Sequence, residues 1–125
     1  MPRRILIVDD SPVIRRAVRS WIQYKTEWEV CGEGDDGRTA VDLVEELNPD
    51  TVILDMAMPV MSGLQAADEI VARAPQTQIV LLTNFPSDLL REHAFRLGIK
   101  AVLAKDGEST LDRLAAILRS LPKAA

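Results

Sequence analysis

Four short apolar runs in this chain each end on a polar residue, and this pattern constrains the fold more than any other feature of the sequence. The runs and the residues that follow them are 5–8 before Asp9 and Asp10, 52–54 before Asp55, 79–82 before Thr83, and 101–104 before Lys105. Continuous apolar runs of this length are typical of strands buried on both faces of a parallel sheet. Since the carboxyl ends of parallel strands meet at one edge, we expect the polar residues to gather where open α/β sheets bind their ligands.

Helix signals alternate with these strands. Apolar residues at helical spacing follow each strand, and residues that favour helix ends bound them, namely Ser11-Pro12, Asn48-Pro49, Pro75, Pro86-Ser87 and Gly98. A further strand is predicted at about residues 28–33, and the Gly-Asp-Asp-Gly segment 34–37 is predicted to be a turn. Five strand–helix units in 125 residues predict an α/β fold. We expect a five-stranded parallel sheet with helices on both faces, in a single domain spanning residues 1–125.

The charge balance argues against a protein that binds nucleic acid directly. The chain has 15 basic and 19 acidic residues and a formal charge of −4, whereas contact with a phosphate backbone requires a basic surface. The arginines near the N-terminus are interpreted as a solvated face rather than as a basic patch; they are Arg3, Arg4, Arg15, Arg16 and Arg19.

The rare residues exclude further kinds of site. The single cysteine, Cys31, excludes a disulfide within the chain, and the single histidine, His93, leaves too few ligands for a Cys/His zinc site. No apolar run approaches the ~20 residues of a membrane span. The apolar stretch at the N-terminus ends at Asp9, too early for a signal peptide. We therefore expect a cytoplasmic protein that does not bind a membrane.

The polar residues at the strand ends are suited to phosphoryl chemistry at Asp55. Mg²⁺ prefers oxygen ligands, and Asp9, Asp10 and Asp55 supply three carboxylates. Lys105 is a compact cation that can neutralise a phosphoryl group, and the hydroxyl of Thr83 can donate a hydrogen bond to a phosphoryl oxygen. Phosphoryl transfer depends mostly on positioning and electrostatics, so this small set of groups is sufficient.

Each of these residues has an ordinary structural alternative when it is considered alone. The alternatives are a helix-start acid pair for Asp9 and Asp10, a strand-end turn for Asp55, a cap for Thr83, and a solvated side chain for Lys105. Their joint placement at four strand ends favours the functional interpretation.

Two other functions fit the sequence less well. An enzyme that turns over phosphate esters through an aspartyl phosphate usually has a second acid two residues after the nucleophile, where this chain has Ala57. A nucleotide-binding domain would require a Gly-rich loop after the first strand. This chain has the acidic segment 9–12, Asp-Asp-Ser-Pro, at that place.

The motifs at the strand ends resemble those of the receiver domain of bacterial two-component response regulators. The resemblance covers nearly the whole chain and is carried by residues 7–11, 50–63, 81–83 and 104–105. The segment 29–33 and the pair Lys105-Asp106 resemble the branch of receivers that is often fused to a helix-turn-helix output domain. The full set of acids, threonine and lysine argues against a receiver-like module that no longer takes phosphate.

The resemblance implies a flavodoxin-like fold with strand order 2-1-3-4-5, and a phosphoacceptor switch rather than an enzyme. Asp55 would accept a phosphoryl group from a sensor histidine kinase or a histidine phosphotransfer protein, with Mg²⁺ or Mn²⁺ as the cofactor. Asp10, Asp55 and the main-chain carbonyl of Ala57 would ligate the metal, and Asp9 would act through a water molecule. Lys105 would pair with the phosphoryl group, and Thr83 would move towards it on activation.

The resemblance also implies a surface that changes on phosphorylation and binds a downstream output protein or domain. It leaves open a phosphorylation-dependent homodimer, and also whether the chain is a complete protein or one domain of a longer regulator. Val102 occupies a position where many receivers have an aromatic residue. We expect the output surface to include Leu89, Arg91, Val102 and residues of the last helix.

Overall fold

Strands and helices alternate along the computed structural model, which describes residues 2–106 and 108–122. In chain order the elements are β1 Arg4–Val8, α1 Pro12–Lys25, β2 Glu29–Gly34, α2 Gly37–Leu47, β3 Thr51–Asp55, α3 Gly63–Arg73, β4 Gln78–Thr83, α4 Asp88–Leu97, β5 Ala101–Ala104 and α5 Glu108–Ser120. The strands form one sheet in the order β2-β1-β3-β4-β5, and every neighbouring pair is parallel. The predicted α/β fold and its flavodoxin-like strand order are confirmed.

The sheet is buried on both faces because successive strand residues point to opposite sides. Ile5 and Ile53 pack with residues of α1 and α5, whereas Leu6 and Leu54 pack with residues of α2, α3 and α4. These four side chains are at most 1% exposed. Burial on two faces explains why the strands are continuous apolar runs. None of the helices in the described residues is long and apolar enough to cross a membrane.

The segment 34–37 is not the simple turn that its composition predicts. Gly34 ends β2, and Asp36 is the N-cap of α2, where its carboxylate accepts a hydrogen bond of 2.7 Å from the Thr39 amide. Gly37 begins the helix, and a Cβ at this position would collide with the carbonyl oxygen of Met61. The turn is shorter than predicted and consists of Asp35 and Asp36 alone, because Gly34 still belongs to β2 and α2 already begins at Gly37, with its first turn against the β3–α3 loop.

The interpretation of the N-terminal arginines as a solvated face is wrong for Arg3 and Arg4. Arg3 is 3% exposed, and its guanidinium donates hydrogen bonds of 2.7 and 2.8 Å to the carbonyl oxygens of Leu118 and Leu121. Arg4 donates in the same way to the carbonyl oxygen of Leu47 at 2.7 Å. Both side chains satisfy carbonyl groups at helix C-termini, where cations are favoured.

Candidate functional site

The sequence-predicted site residues all lie at the carboxyl edge of the sheet. Asp9 and Asp10 follow β1, Asp55 is the last residue of β3, Thr83 is the last residue of β4, and Lys105 follows β5. A cleft of about 390 Å³ at this edge is lined by Asp10, Asp55, Ala57, Thr83 and Lys105, among others. Parallel pairing alone brings these groups together, since each stands at or directly after a strand end.

Three carboxylates form the acidic side of the cleft. One oxygen from each of Asp9, Asp10 and Asp55 lies within 4.8 Å of the others. Asp9 and Asp55 are buried, with 1% and 4% of their surface exposed, whereas Asp10 is exposed. In the part of the chain that the structure describes, the buried Oδ2 of Asp9 accepts no hydrogen bond of good geometry, although the Lys105 ammonium lies 2.7 Å from it. Such a cluster requires positive charge, because buried carboxylates lose the hydration that stabilises them in water.

Lys105 supplies one positive charge to this cluster. Its Nζ lies 2.7 Å from Oδ2 of Asp9 and 2.7 Å from Oδ1 of Asp55, and its side chain is only 11% exposed. Burial lowers the pKa of Lys105, but the carboxylates of Asp55 and Asp9 outweigh it and raise that pKa above its ordinary value. Lys105 is the one ammonium among the described residues that contacts the three carboxylates, which leaves an excess of negative charge at the cleft.

Asp55 is the carboxylate most affected by its surroundings. Burial raises its pKa from 3.8 to about 6, and the charge of Asp9 adds to the rise, although the hydrogen bond from Lys105 lowers it. Loss of hydration is the larger cause of this raised pKa, and repulsion by the charge of Asp9 is a smaller one. A second positive charge at this cleft would restore the ionised form of Asp55.

Thr83 places a hydroxyl on the opposite wall of the cleft. The residue is 5% exposed, and its Oγ1 accepts a hydrogen bond of 3.1 Å from the Phe85 amide. Its main-chain carbonyl accepts a bond of 2.8 Å from the amide of Lys105, which ties the ends of β4 and β5 together. Within the described residues the Thr83 hydroxyl donates to no acceptor, so its proton is available to a ligand.

The acid loop, residues 9–11 directly after β1, is held by three hydrogen bonds. The Asp9 amide donates to the carbonyl oxygen of Gly34 at 3.1 Å, and Oδ1 of Asp9 accepts from the Ser11 amide at 2.9 Å. Nη1 of Arg15, on the first turns of α1, donates to the Asp9 carbonyl oxygen at 2.6 Å. The assignment of Arg15 to a solvated face is wrong, because its side chain is only 22% exposed and binds this loop. Its position one turn after the Ser11 cap is the sequence signal that pointed to the loop.

Known proteins share this arrangement of sequence and fold. A family model described as the response regulator receiver domain matches residues 5–119. This chain belongs to the response regulator receiver family. The receiver domain is a module of two-component signal transduction, and the resemblance inferred from the sequence motifs is confirmed.

Some curated proteins similar to this receiver domain are named as transcriptional regulatory proteins. The transcriptional regulatory protein YdfI of Bacillus subtilis is 38% identical over 106 residues, which are 85% of this chain and 49% of YdfI. The uncharacterized transcriptional regulatory protein YhcZ of the same organism is 38% identical over 108 residues, or 84% of this chain and 49% of YhcZ. The receiver domain thus spans about half the length of the curated relatives it matches.

Solved structures similar to this receiver domain have the same fold over nearly their whole length. The signal receiver domain of the putative response regulator NarL from Mycobacterium tuberculosis matches with a TM-score of 0.86 and 25% identity, over 96% of this chain and 98% of that one. A DNA-binding response regulator of the LuxR family from Staphylococcus aureus matches with a TM-score of 0.85 and 28% identity, over 94% and 96% of the two chains.

The loop between β3 and α3 forms the remaining wall of the receiver cleft. The Met56 amide donates to the carbonyl oxygen of Leu82 at 2.9 Å, and the Gly63 amide donates to the carbonyl oxygen of Met56 at 2.8 Å. Val60 has a φ of 70°, and the Met61 amide donates to the carbonyl oxygen of Pro59, so these three residues form a tight γ-turn. These contacts hold Ala57 at the mouth of the cleft.

Val102 does not lie where the sequence analysis places it. The side chain is 4% exposed, belongs to the core between the sheet and α2, α3 and α4, and sits on β5 beside Leu81 of β4. The prediction that Val102 belongs to the output surface is therefore wrong, because strand alternation points it inward. Leu89, at 76% exposed, and the half-buried Arg91 of α4 do reach the surface.

Proposed function

We propose that this receiver domain accepts a phosphoryl group on Asp55 and acts as a switch rather than as an enzyme that turns over an external substrate. The observation that carries the proposal is the position of the Asp55 carboxylate, at a strand end in the cleft, with Lys105 2.7 Å away and two further acids beside it. The donor would be a phosphohistidine of a sensor histidine kinase or of a histidine phosphotransfer protein.

The residues present fit a divalent cation of the Mg²⁺ class, with Mn²⁺ as a substitute. The donor set is three carboxylates, one oxygen of each lying within 4.8 Å of the others, and within the described residues Lys105 is the one ammonium that contacts them. Asp10, Asp55 and the main-chain carbonyl of Ala57 would hold the cation, and Asp9 would act through a water molecule. When bound, the cation neutralises charge on the phosphoryl oxygens.

The transfer itself requires Asp55 to be ionised and aligned. A carboxylate oxygen of Asp55 forms a bond to phosphorus as the bond from phosphorus to the imidazole nitrogen breaks, and the bonding electron pair stays on the imidazole. The product is an aspartyl phosphate. Lys105, already in contact with Oδ1 of Asp55, shifts to a phosphoryl oxygen and keeps a charge-assisted bond throughout. The Thr83 hydroxyl donates to a second phosphoryl oxygen.

Movement of Thr83 would carry the signal away from the cleft. Its Oγ1 accepts from the Phe85 amide, so a shift of the hydroxyl towards the phosphoryl group pulls the segment that leads into α4. Phe85 and Leu89 in this region are 86% and 76% exposed and form an apolar surface that a partner can bind. We place the output surface here and on α5, facing a downstream output domain or protein, with a phosphorylation-dependent homodimer as one form of output.

The wider setting of the proposal follows the curated relatives. Their names describe transcriptional regulatory proteins, and the matched residues make up about half of each of those proteins. We propose that this domain, in the cytoplasm, controls an output of that kind and makes no direct contact with nucleic acid, which agrees with its charge of −4.

Acetyl phosphate tests the proposal with a donor that needs no cognate kinase. The protein is incubated with acetyl phosphate and Mg²⁺, and its intact mass is measured. We expect one phosphate adduct, absent in Asp55→Asn and absent with excess chelator. Asp68→Asn, an exposed acid on α3, is the matched control and should keep the adduct. An adduct of undiminished yield in Asp55→Asn contradicts the assignment.

A further inference from the structure

Arg15 joins the acid loop to the neighbouring strand. Its Nη1 donates to the main-chain oxygen of Asp9 at 2.6 Å, and its Nε lies 3.6 Å from Oε1 of Glu33 on β2. The side chains of Arg15 and Glu33 are only 22% and 23% exposed, so this contact is shielded from much of the solvent. Arg19, one turn later on α1, binds the other oxygen of Glu33 at 2.8 Å, and among the described residues it makes no hydrogen bond or ion pair with the acid loop.

The oxygen that Arg15 holds belongs to the peptide bond between Asp9 and Asp10. Within the described residues no lysine or arginine pairs with the carboxylate of Asp10, which contacts the acid Asp55, whereas the carboxylates of Asp9 and Asp55 contact Lys105. With no cationic side chain to orient it, the Asp10 carboxylate depends on its main chain for its direction, and among the described residues Arg15 is the only side chain bound to the preceding carbonyl. A rotation of that peptide would move Asp10 away from the other two acids.

We propose that Arg15 is a positioning residue for the cation site, which fixes the Asp9–Asp10 peptide so that the Asp10 carboxylate faces Asp55. Glu33 holds the guanidinium in place, and the planar fork of arginine allows it to reach both partners. The inference rests on the proposed function of the cleft as a Mg²⁺ site. Contacts of this kind, one step removed from a metal, commonly change metal affinity by about 10–100-fold.

Positioning and simple electrostatics predict opposite results when Arg15 is neutralised. Removal of a positive charge near a cation site favours the cation, so electrostatics alone predicts tighter Mg²⁺ binding in Arg15→Gln. Positioning predicts weaker binding, since Asp10 is no longer held towards the site. Arg19→Gln removes the same charge from the same helix and the same partner, Glu33, but leaves the Asp9 contact intact.

The experiment is a calorimetric titration of the metal-free protein with MgCl₂ at pH 8. We expect the dissociation constant of Arg15→Gln to rise by about tenfold relative to wild type, while that of Arg19→Gln stays equal or falls. Arg15→Lys keeps the charge, but its single ammonium cannot reach Asp9 and Glu33 together. It should bind Mg²⁺ more weakly than wild type and more tightly than Arg15→Gln, and it serves as the deciding variant if Arg15→Gln does not fold.

Amide hydrogen exchange provides a readout without metal. The Ser11 amide, which donates to Asp9 Oδ1, should exchange faster in Arg15→Gln than in wild type or Arg19→Gln. Equal or tighter Mg²⁺ binding by Arg15→Gln, or wild-type binding by Arg15→Lys where Arg15→Gln does not fold, overturns the inference. A wild-type protein that binds no Mg²⁺ overturns the proposed function instead, and the two failures are thereby distinguished.

Discussion

The proposed chemistry requires an ionised carboxylate at Asp55, whereas the burial of Asp55 makes that charge unfavourable for the folded state. The folded protein holds this carboxyl with a pKa of about 6, above the ordinary 3.8. Between these two values the folded state binds more protons than the unfolded state, so stability falls as pH rises through this window and stays lower above it. An ionised Asp55 therefore destabilises the metal-free domain at neutral pH.

Asp55→Asn should accordingly stabilise the metal-free protein. At pH 8 with chelator we expect a gain of about 1–3 kcal/mol in the free energy of unfolding, since each pKa unit is worth about 1.4 kcal/mol and the pKa of about 6 already includes the attraction of Lys105. Urea titration measures it, and the gain should shrink near pH 4. Asp68→Asn is the control, and a destabilised Asp55→Asn at pH 8 would show that the ion pair dominates.

Lys105 should matter more for phosphorylation than for folding. Lys105→Met keeps most of the stem and removes the charge that contacts Asp9 and Asp55. We expect a cooperative melt in the presence of Mg²⁺, but phosphorylation by acetyl phosphate slower by on the order of a hundredfold. Lys100→Met, which changes an exposed lysine before β5, should behave as wild type. If Lys105→Met unfolds in Mg²⁺, its role is that of a structural ion pair.

At the scale of elements, the end of β4 and the start of α4 form the segment most directly tied to the site. The hydrogen bond from the Phe85 amide to Thr83 Oγ1 links the cleft to a surface with Phe85 and Leu89 exposed. Val102 is small and buried, so it cannot carry the signal by rotating between the surface and the core, as an aromatic side chain at this position could. We therefore expect coupling by displacement of the 83–97 segment as a unit.

Beryllofluoride, a phosphoryl mimic, tests this coupling by NMR. Amide chemical shifts should change from residue 83 to 97 when the mimic and Mg²⁺ are added. In Thr83→Ala the changes near Asp55 should remain, while those of α4 are reduced. Thr77→Ala, directly before the start of β4, is the control and should keep both sets of changes. Large changes confined to α1 and α2 would reject this route.

At the scale of the molecule, the strand order and most of the site residues could be predicted from the sequence, because both follow from local sequence patterns. Buried parallel strands are apolar runs, and residues that end such runs meet at one sheet edge, so Asp55, Thr83 and Lys105 are brought together without further information. The errors concern contacts between distant segments. Arg3 caps the carbonyls at the end of α5, more than a hundred residues away.

The other missed features have the same origin. The role of Asp36 as the N-cap of α2 depends on where β2 ends, and a composition of Gly and Asp does not distinguish a turn from a helix start. The contact of Arg15 with the Asp9 carbonyl depends on Glu33 of β2 beside it. Sequence patterns assign residues to faces and edges, whereas hydrogen bonds across elements require the packed structure.

Mg²⁺ should stabilise the whole domain, because it binds the folded site and not the unfolded chain. At a concentration 100-fold above the dissociation constant the gain is about 2.7 kcal/mol. It should decrease as pH falls through about 6, where protonation of Asp55 competes with the cation. Thermal melts with and without Mg²⁺ measure it, and Asp10→Ala should lose the gain. An equal gain in Asp10→Ala and wild type would place the cation elsewhere.

The central claim is that the phosphoryl group forms an acyl phosphate on Asp55, and reductive trapping tests it most directly. Borohydride converts an aspartyl phosphate, but not a free carboxylate, into an alcohol that tandem mass spectrometry locates in the peptide. After incubation with acetyl phosphate and Mg²⁺, we predict a reduced residue at position 55 and none at Asp9 or Asp10. Reduction at either of those residues, or at no residue when Mg²⁺ and the donor are both present, would contradict the account.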